Sequence, residues 1–189
     1  MAKQRNGNAP DRKHVTPDEA RRLFDAAGQS GRNGARDRTA CMMAYYHGLR
    51  VAELVGLQWH DVDWKTEQLT VRRVKDGINS THPIRGDVLR QLRAMKREAD
   101  GSTGHIFLSE RESPLSVDAV QRFVARAGRE AGIGLAIHPH MLRHGCGFAL
   151  ANKGVDTRTI QAYLGHAAIS STVIYTALSA TRFKNLFRD

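Results

Sequence analysis

Cysteine is scarce in this 189-residue sequence: there are two, Cys41 and Cys146, set within apolar helical patterns rather than at paired loop spacings. That placement argues against a disulfide-stapled scaffold and fits buried free thiols in a reducing compartment. Long apolar runs are missing too. No stretch approaches the ~18 consecutive apolar residues that a membrane-spanning helix requires. The N-terminal charges are not followed by the apolar segment of a secretory signal, so a cytoplasmic protein is expected. There is no internal repeat, and low complexity is confined to a basic N-terminal stretch. Acidic residues are the remaining deficit. Asp and Glu number 19 against 29 Lys and Arg, a formal net charge of +10. Such an imbalance points to a polyanionic partner, although a ribosomal or merely basic protein would share it.

What is present suits one globular domain with a proper core, since 41% of residues are apolar and 25% charged. Residues 1–15 carry Lys3, Arg5, Arg12 and Lys13 among Asn, Gly and Pro, and are expected to form a flexible basic arm; residues 16–189 form the domain. Thr16-Pro17-Asp18-Glu19 is a capping box with proline at the first helical position. It predicts a helix to about Ala27, and a second follows over about 35–46, ended by Gly48. A short third helix starts after Arg50. Glu67–Val74 alternates and is rich in β-branched residues. Asp76-Gly77 is a turn signal, and Thr81–Ile84 returns as a second strand. Ile106–Leu108 is a candidate third strand. Helices are expected over about 87–99, 116–131, 140–153, 157–164, 170–178 and 180–187. The predicted fold class is therefore mainly α with a small antiparallel β-sheet.

Two of these helices carry arginine stripes. Arg122, Arg126 and Arg129 lie opposite Val120, Phe123, Val124 and Ala127. Arg90, Arg93 and Arg97 lie opposite Val88, Leu92 and Met95. A solvated face is the ordinary fate of such charges. Stripes made only of arginine also suit phosphate contact, and with Arg72 and Arg73 these six are the candidate DNA-backbone residues.

The chemistry-bearing residues are Arg50, Lys75, His140, Arg143, His166 and Tyr175. His138-Pro139-His140-Met141-Leu142-Arg143-His144 opens a helix on which His140, Arg143, His144 and Gly147 share a face, with Leu142, Cys146 and Ala149 on the other. Arg143 can fork onto two phosphate oxygens, and the helix N-terminus attracts an anion. A metal reading of His140 and His144 lacks the Glu after the first His, where Met141 stands, and lacks completing ligands; no metal is expected. Arg50 begins a helix just past Gly48. Lys75 sits at the tip of the predicted hairpin. Gly165 is a predicted C-cap that holds His166 at a corner, and Tyr175 follows nine residues later. Taken singly, an arginine at a helix start, a hairpin lysine and one tyrosine among four are ordinary surface or core residues.

Together, in this order and with the words HGLRVAEL, HPHMLRH and LGH around them, they make the chain resemble the catalytic domain of the tyrosine recombinases, the phage integrase family. HPHMLRH-x-CGFALAN, TRTIQAYLGH and the NSTHP run make it most similar to the short members that invert fimbrial promoter elements in enterobacteria. The resemblance spans Thr16 to Phe183. It implies a site-specific recombinase that cuts and rejoins DNA without metal, cofactor or ATP. In that reading Arg50 and Arg143 clamp the scissile phosphate, and His140 is the acid/base partner near the nucleophile. Lys75 protonates the leaving 5′ oxygen, His166 hydrogen-bonds a non-bridging oxygen, and Tyr175 forms a 3′-phosphotyrosyl link. The implied partners are double-stranded DNA with paired inverted sites, three further copies in a tetramer on that DNA, and DNA-bending accessory proteins. The implied location is the cytoplasm, on the nucleoid.

Only 49 residues precede Arg50, fewer than in members with a separate DNA-clamping domain. A half-clamp of this kind is expected to bind weakly and salt-sensitively and to need helpers or oligomer contacts. Phe183, Leu186 and Phe187 form an apolar face that docks either on a neighbour or within the chain. Rival readings are a type IB topoisomerase, a DNA-binding regulator without strand exchange, and a structural basic protein.

Overall fold

Capping and apolar periodicity set the helices that frame the molecule. A computed structural model describes residues 12–74, 78–99, 101 and 103–177. Among these, eight α-helices run in the order α1 (Pro17–Gly28), α2 (Gly34–Tyr46), α3 (Val51–Val55), α4 (Gly86–Glu98), α5 (Val117–Glu130), α6 (Pro139–Asn152), α7 (Thr157–Leu164) and α8 (Ser170–Ala177). At the start of α1 the Thr16 hydroxyl accepts from the Glu19 N–H at 3.3 Å, and the Glu19 carboxylate accepts from the Thr16 N–H at 2.8 Å. The capping box read from sequence is therefore formed. Ser116 and Asp156 cap α5 and α7 in the same way, accepting from the N–H of Ala119 and Thr159.

Helix α2 is buried on nearly every side, from Ala40 through Tyr45, as expected of a segment without a polar face. It packs against α1, α4, α5 and α6 and forms the axis of the main core. A second, smaller core of Cys146, Ala151, Ile160, Leu164 and Tyr175 joins α6, α7 and α8. Cys41 and Cys146 are buried free thiols, as the sequence predicts. No helix among the described residues is long and apolar enough to cross a membrane.

The sheet has three antiparallel strands in the order β1 (Val62–Asp63), β2 (Gln68–Val71) and β3 (Ser80–Pro83). Leu69 pairs with Val62 on one side and His82 on the other. Leu69 and Val71 face the core while Gln68 and Thr70 face solvent, the period-two alternation of a half-buried strand. The third strand differs from the expected Ile106–Leu108. That segment has Ile106 and Phe107 buried but pairs only through isolated bridges, Gln58 with His105 and Leu108 with Pro114. The strand that completes the sheet is the two-residue β1, folded back by a turn in which the Asp63 carboxylate accepts from the Lys65 and Thr66 N–H groups.

Residues 12–15, expected within the basic arm, lie on the body instead. Arg12 pairs with Glu19 at 2.5 Å, His14 stacks on Phe148 at 3.8 Å and Val15 is buried. The rest of the arm, the Asp76-Gly77 turn and the 180–187 helix with Phe183, Leu186 and Phe187 lie outside the described residues.

Candidate active site

One buried carboxylate organises the cationic half of the site. Glu53, on the third residue of α3, accepts from the backbone N–H of Arg50 at 2.8 Å and from the Arg50 guanidinium at 2.8 Å. Oε2, the oxygen that takes the Arg50 N–H, also accepts from Arg73 at 2.8 Å and lies 3.8 Å from Arg143, while Oε1 takes the Arg50 guanidinium. Burial alone would raise the Glu53 pKa, but the Arg50 N–H and the Arg73 charge outweigh it and hold the carboxyl below its ordinary value. Three guanidinium groups against one carboxylate leave excess positive charge in a water-poor setting, which is a demand for an anion.

Arg143 is 1% exposed. Its guanidinium donates to the Gly48 carbonyl and, at 2.7 Å, to the Leu164 carbonyl. The ends of α2 and α7 thus fix the arginine that α6 supplies. Burial, then the charges of Arg50 and Arg73, lower its pKa to about 10. It remains cationic at neutral pH.

The phenol half of the cluster forms where α6 meets α8. Tyr175 is 1% exposed, and its hydroxyl lies 2.9 Å from Nδ1 of His144. A Cβ on Gly147 would fall 2.7 Å from the Tyr175 ring, so glycine alone admits the ring this close to α6. Phe148 closes one side of the ring edge-to-face at 5.1 Å. Burial raises the Tyr175 pKa to about 12 even with Arg143 and Arg50 pulling it down. His140 meets His144 edge-to-face at 4.3 Å between ring centres. Burial, followed by Arg143, lowers the His140 pKa.

His166 stands at the corner between α7 and α8. Gly165 takes the left-handed conformation, φ +63°, that closes α7, and the backbone then turns His166 toward Thr172, whose hydroxyl lies 2.9 Å from its Nδ1. Its ring is 6.2 Å from that of Tyr175. Burial and the cations Arg143, Arg50 and Arg73 lower its pKa to about 4, so it is neutral at pH 7.

The structure thus brings Arg50, His140, Arg143, His166 and Tyr175 into one electrostatically coupled cluster. Lys75 lies outside the described residues. Among the candidate backbone contacts, Arg73 requires a correction. Its side chain is 0% exposed and paired with Glu53, with a further bond to the Tyr163 carbonyl, so it braces the site and faces no phosphate. Arg72, its neighbour on the opposite face, is exposed and pairs with Asp61 at 2.8 Å. Arg90, Arg97, Arg122 and Arg129 are exposed. Arg93 is exposed but paired with Glu67, and Arg126 with Asp37 and Glu130.

Two members of the cluster had no role in the sequence reading. Glu53 stands three residues after Arg50, the spacing at which a side chain returns to its own helix start. His144 shares the His140 face but carried no further signal. Among the described residues no His, Cys, Asp or Glu joins these histidines in a metal-binding group.

The profile of the phage integrase family matches residues 13–182. The chain belongs to the phage integrase family. It is 42% identical over 182 residues to the type 1 fimbriae regulatory protein FimE of Escherichia coli K12, covering 93% of this chain and 91% of that protein. Among solved structures of integrase-family proteins, the XerA recombinase superposes with a TM-score of 0.78 at 29% identity; the match covers 89% of this chain and 61% of that one. A lambda integrase dimer bound to a COC′ core site gives 0.67 at 26% identity, covering 84% and 59%. The integrase-family catalytic fold accounts for the mainly helical architecture with its small antiparallel sheet.

Proposed function

We infer that this chain is a site-specific DNA recombinase that cleaves and rejoins strands through a covalent link at Tyr175. The observation that carries the reading is the buried phenol of Tyr175 set within a cluster whose cations exceed its carboxylates. A phosphodiester entering beside Arg50 and Arg143 supplies the missing negative charge, and the two guanidiniums stabilise the charge that grows on its oxygens. The Tyr175 oxygen bonds to phosphorus as the bond to the 5′ oxygen breaks, leaving a 3′-phosphotyrosyl ester. His140 serves as acid/base partner, His166 donates to a non-bridging oxygen, and Lys75 gives the departing oxygen its proton. The ester conserves the phosphodiester energy, so rejoining to a new 5′ hydroxyl needs no ATP.

The likeness to FimE over nearly its whole length supports inversion of a fimbrial-type promoter element between paired inverted sites. The exposed arginines Arg72, Arg90, Arg93, Arg97, Arg122, Arg126 and Arg129 serve the DNA backbone. The working form is a tetramer on DNA assisted by bending proteins, in the cytoplasm and on the nucleoid.

Covalent trapping tests the reading. The protein is incubated with DNA from around its own gene, stopped with detergent and examined for a protein–DNA adduct in wild type and Tyr175→Phe. An adduct in wild type alone, attached at one position, is expected. No adduct in either, with DNA binding intact and bending proteins supplied, would overturn it in favour of a regulator. Relaxation of any supercoiled plasmid without site preference would favour a topoisomerase.

A further inference from the structure

The histidine against the nucleophile is His144, one residue beyond Arg143. Its Nδ1 sits 2.9 Å from the Tyr175 hydroxyl, in hydrogen-bond range. His140, which the resemblance assigns to the acid/base role, contacts the ring of His144. Helix α6 produces this arrangement by its period: His144 follows His140 by four residues and precedes Gly147 by three, so all three lie on one face. Gly147 leaves the space into which the Tyr175 ring fits, and Phe148 bounds it. The phenol is buried, so His144 is the group positioned to aim it and to receive its proton.

We propose that His144 is the immediate partner of the nucleophile: its neutral imidazole accepts the Tyr175 O–H at Nδ1, orients the oxygen, and takes the proton as that oxygen bonds to phosphorus. The proton then resides on His144 as imidazolium. The electron pair of the breaking P–O bond leaves on the 5′ oxygen, which is protonated separately by the general acid. On rejoining, His144 returns its proton to the departing Tyr175 oxygen. The acid/base role toward the nucleophile, which the resemblance gives to His140, passes in this proposal to His144. Burial and the nearby charges of His140 and Arg143 lower the His144 pKa to about 4, which keeps it in the accepting, neutral form at pH 7.

The inference rests on Tyr175 being the nucleophile, and the test separates the two. Single-turnover adduct formation is measured on a duplex containing the mapped cleavage site, with either an ordinary phosphate or a sulfur in place of the bridging 5′ oxygen. A thiolate leaves without a proton, so the sulfur duplex bypasses the general acid and reports on the tyrosine side alone. His144→Phe is expected to slow cleavage about 100-fold on both duplexes. His144→Asn, whose amide oxygen stands where Nδ1 stood, is expected to recover at least about tenfold of that loss. Full-rate cleavage by His144→Phe overturns the inference. So does a His144→Phe defect that vanishes on the sulfur duplex, which would place His144 on the leaving-group side. Equal defects in Phe and Asn with equally lowered thermal midpoints would make the residue structural. A wild-type protein that forms no adduct removes the nucleophile and the recombinase reading together; loss of the adduct in Tyr175→Phe with full rate in His144→Phe removes only this inference.

Discussion

Arg73 donates to Glu53 at 2.8 Å in an ion pair whose side chains are 0% and 1% exposed. The same carboxylate oxygen lies 3.8 Å from Arg143, and the Gly48 carbonyl accepts from Arg143 and Arg73 alike. A residue expected on the DNA face is thus part of the frame that holds Arg143. Breaking such a pair strands a charge away from water. Glu53→Ala is expected to cost about 3–5 kcal/mol of folding stability, read from urea denaturation. Glu53→Gln keeps the shape and part of the hydrogen bonding and should cost less. Equal stability of Glu53→Ala and wild type would refute the framing role.

Gly147 is expected to tolerate no side chain. A methyl there would sit 2.7 Å from Cε2 and Cζ of Tyr175, so Gly147→Ala must push the ring off its place. A displacement of about 1 Å near reacting atoms lowers rates about 100-fold, while overpacking costs about 1–3 kcal/mol. Adduct yield should therefore fall much further than the thermal midpoint. A parallel series, Gly145→Ala, should lose stability chiefly, because a Cβ there meets Tyr45 and Val15 in the main core at 2.8 and 2.9 Å.

Acid should weaken the fold through its histidines. Burial, then His82 and Arg73, lower the His47 pKa to about 3; burial, then Arg73, lower that of His82 to about 3. In the unfolded chain both titrate near 6.5, so below that pH the unfolded state binds protons that the folded state refuses. Stability is then full above about pH 6.5 and declines as pH falls toward the folded values. Among the described residues neither ring nitrogen of His47 has a hydrogen-bond partner, so His47→Phe removes the penalty without breaking a bond seen there. Urea midpoints at pH 7 and pH 5 should show the variant losing less on acidification than wild type. An equal or greater loss would contradict the assignment.

Arginine burial sorts the DNA-backbone candidates. Removing an exposed contact such as Arg90 or Arg122 should weaken binding uniformly across sequences and reduce the salt slope of log K by about 1. Arg73→Ala should lower stability and leave the slope per bound molecule unchanged. Arg126, already shared between Asp37 and Glu130, should change the slope less than Arg122. Fluorescence anisotropy on a duplex across a salt series measures all four.

The sequence by itself determined the helices of the described residues, the caps at Thr16 and Gly165, the arginine stripes and the identity of five of the clustered polar residues. Each is written in short-range periodicity or in a local word, and Thr16–Glu19 and Gly165 behave as their local chemistry dictates. Tertiary structure alone decided which of two neighbours, Arg72 or Arg73, turns inward. Arg72 and Arg73 directly follow β2 and continue its alternation, one outward and one inward, and their composition is symmetric until Glu53, twenty residues earlier, arrives on the inner side. It alone likewise decided that His144, rather than His140, touches Tyr175, thirty-one residues away in sequence. A helix repeat says which residues share a face; what that face meets depends on the packing of the next helix, and no local pattern encodes it.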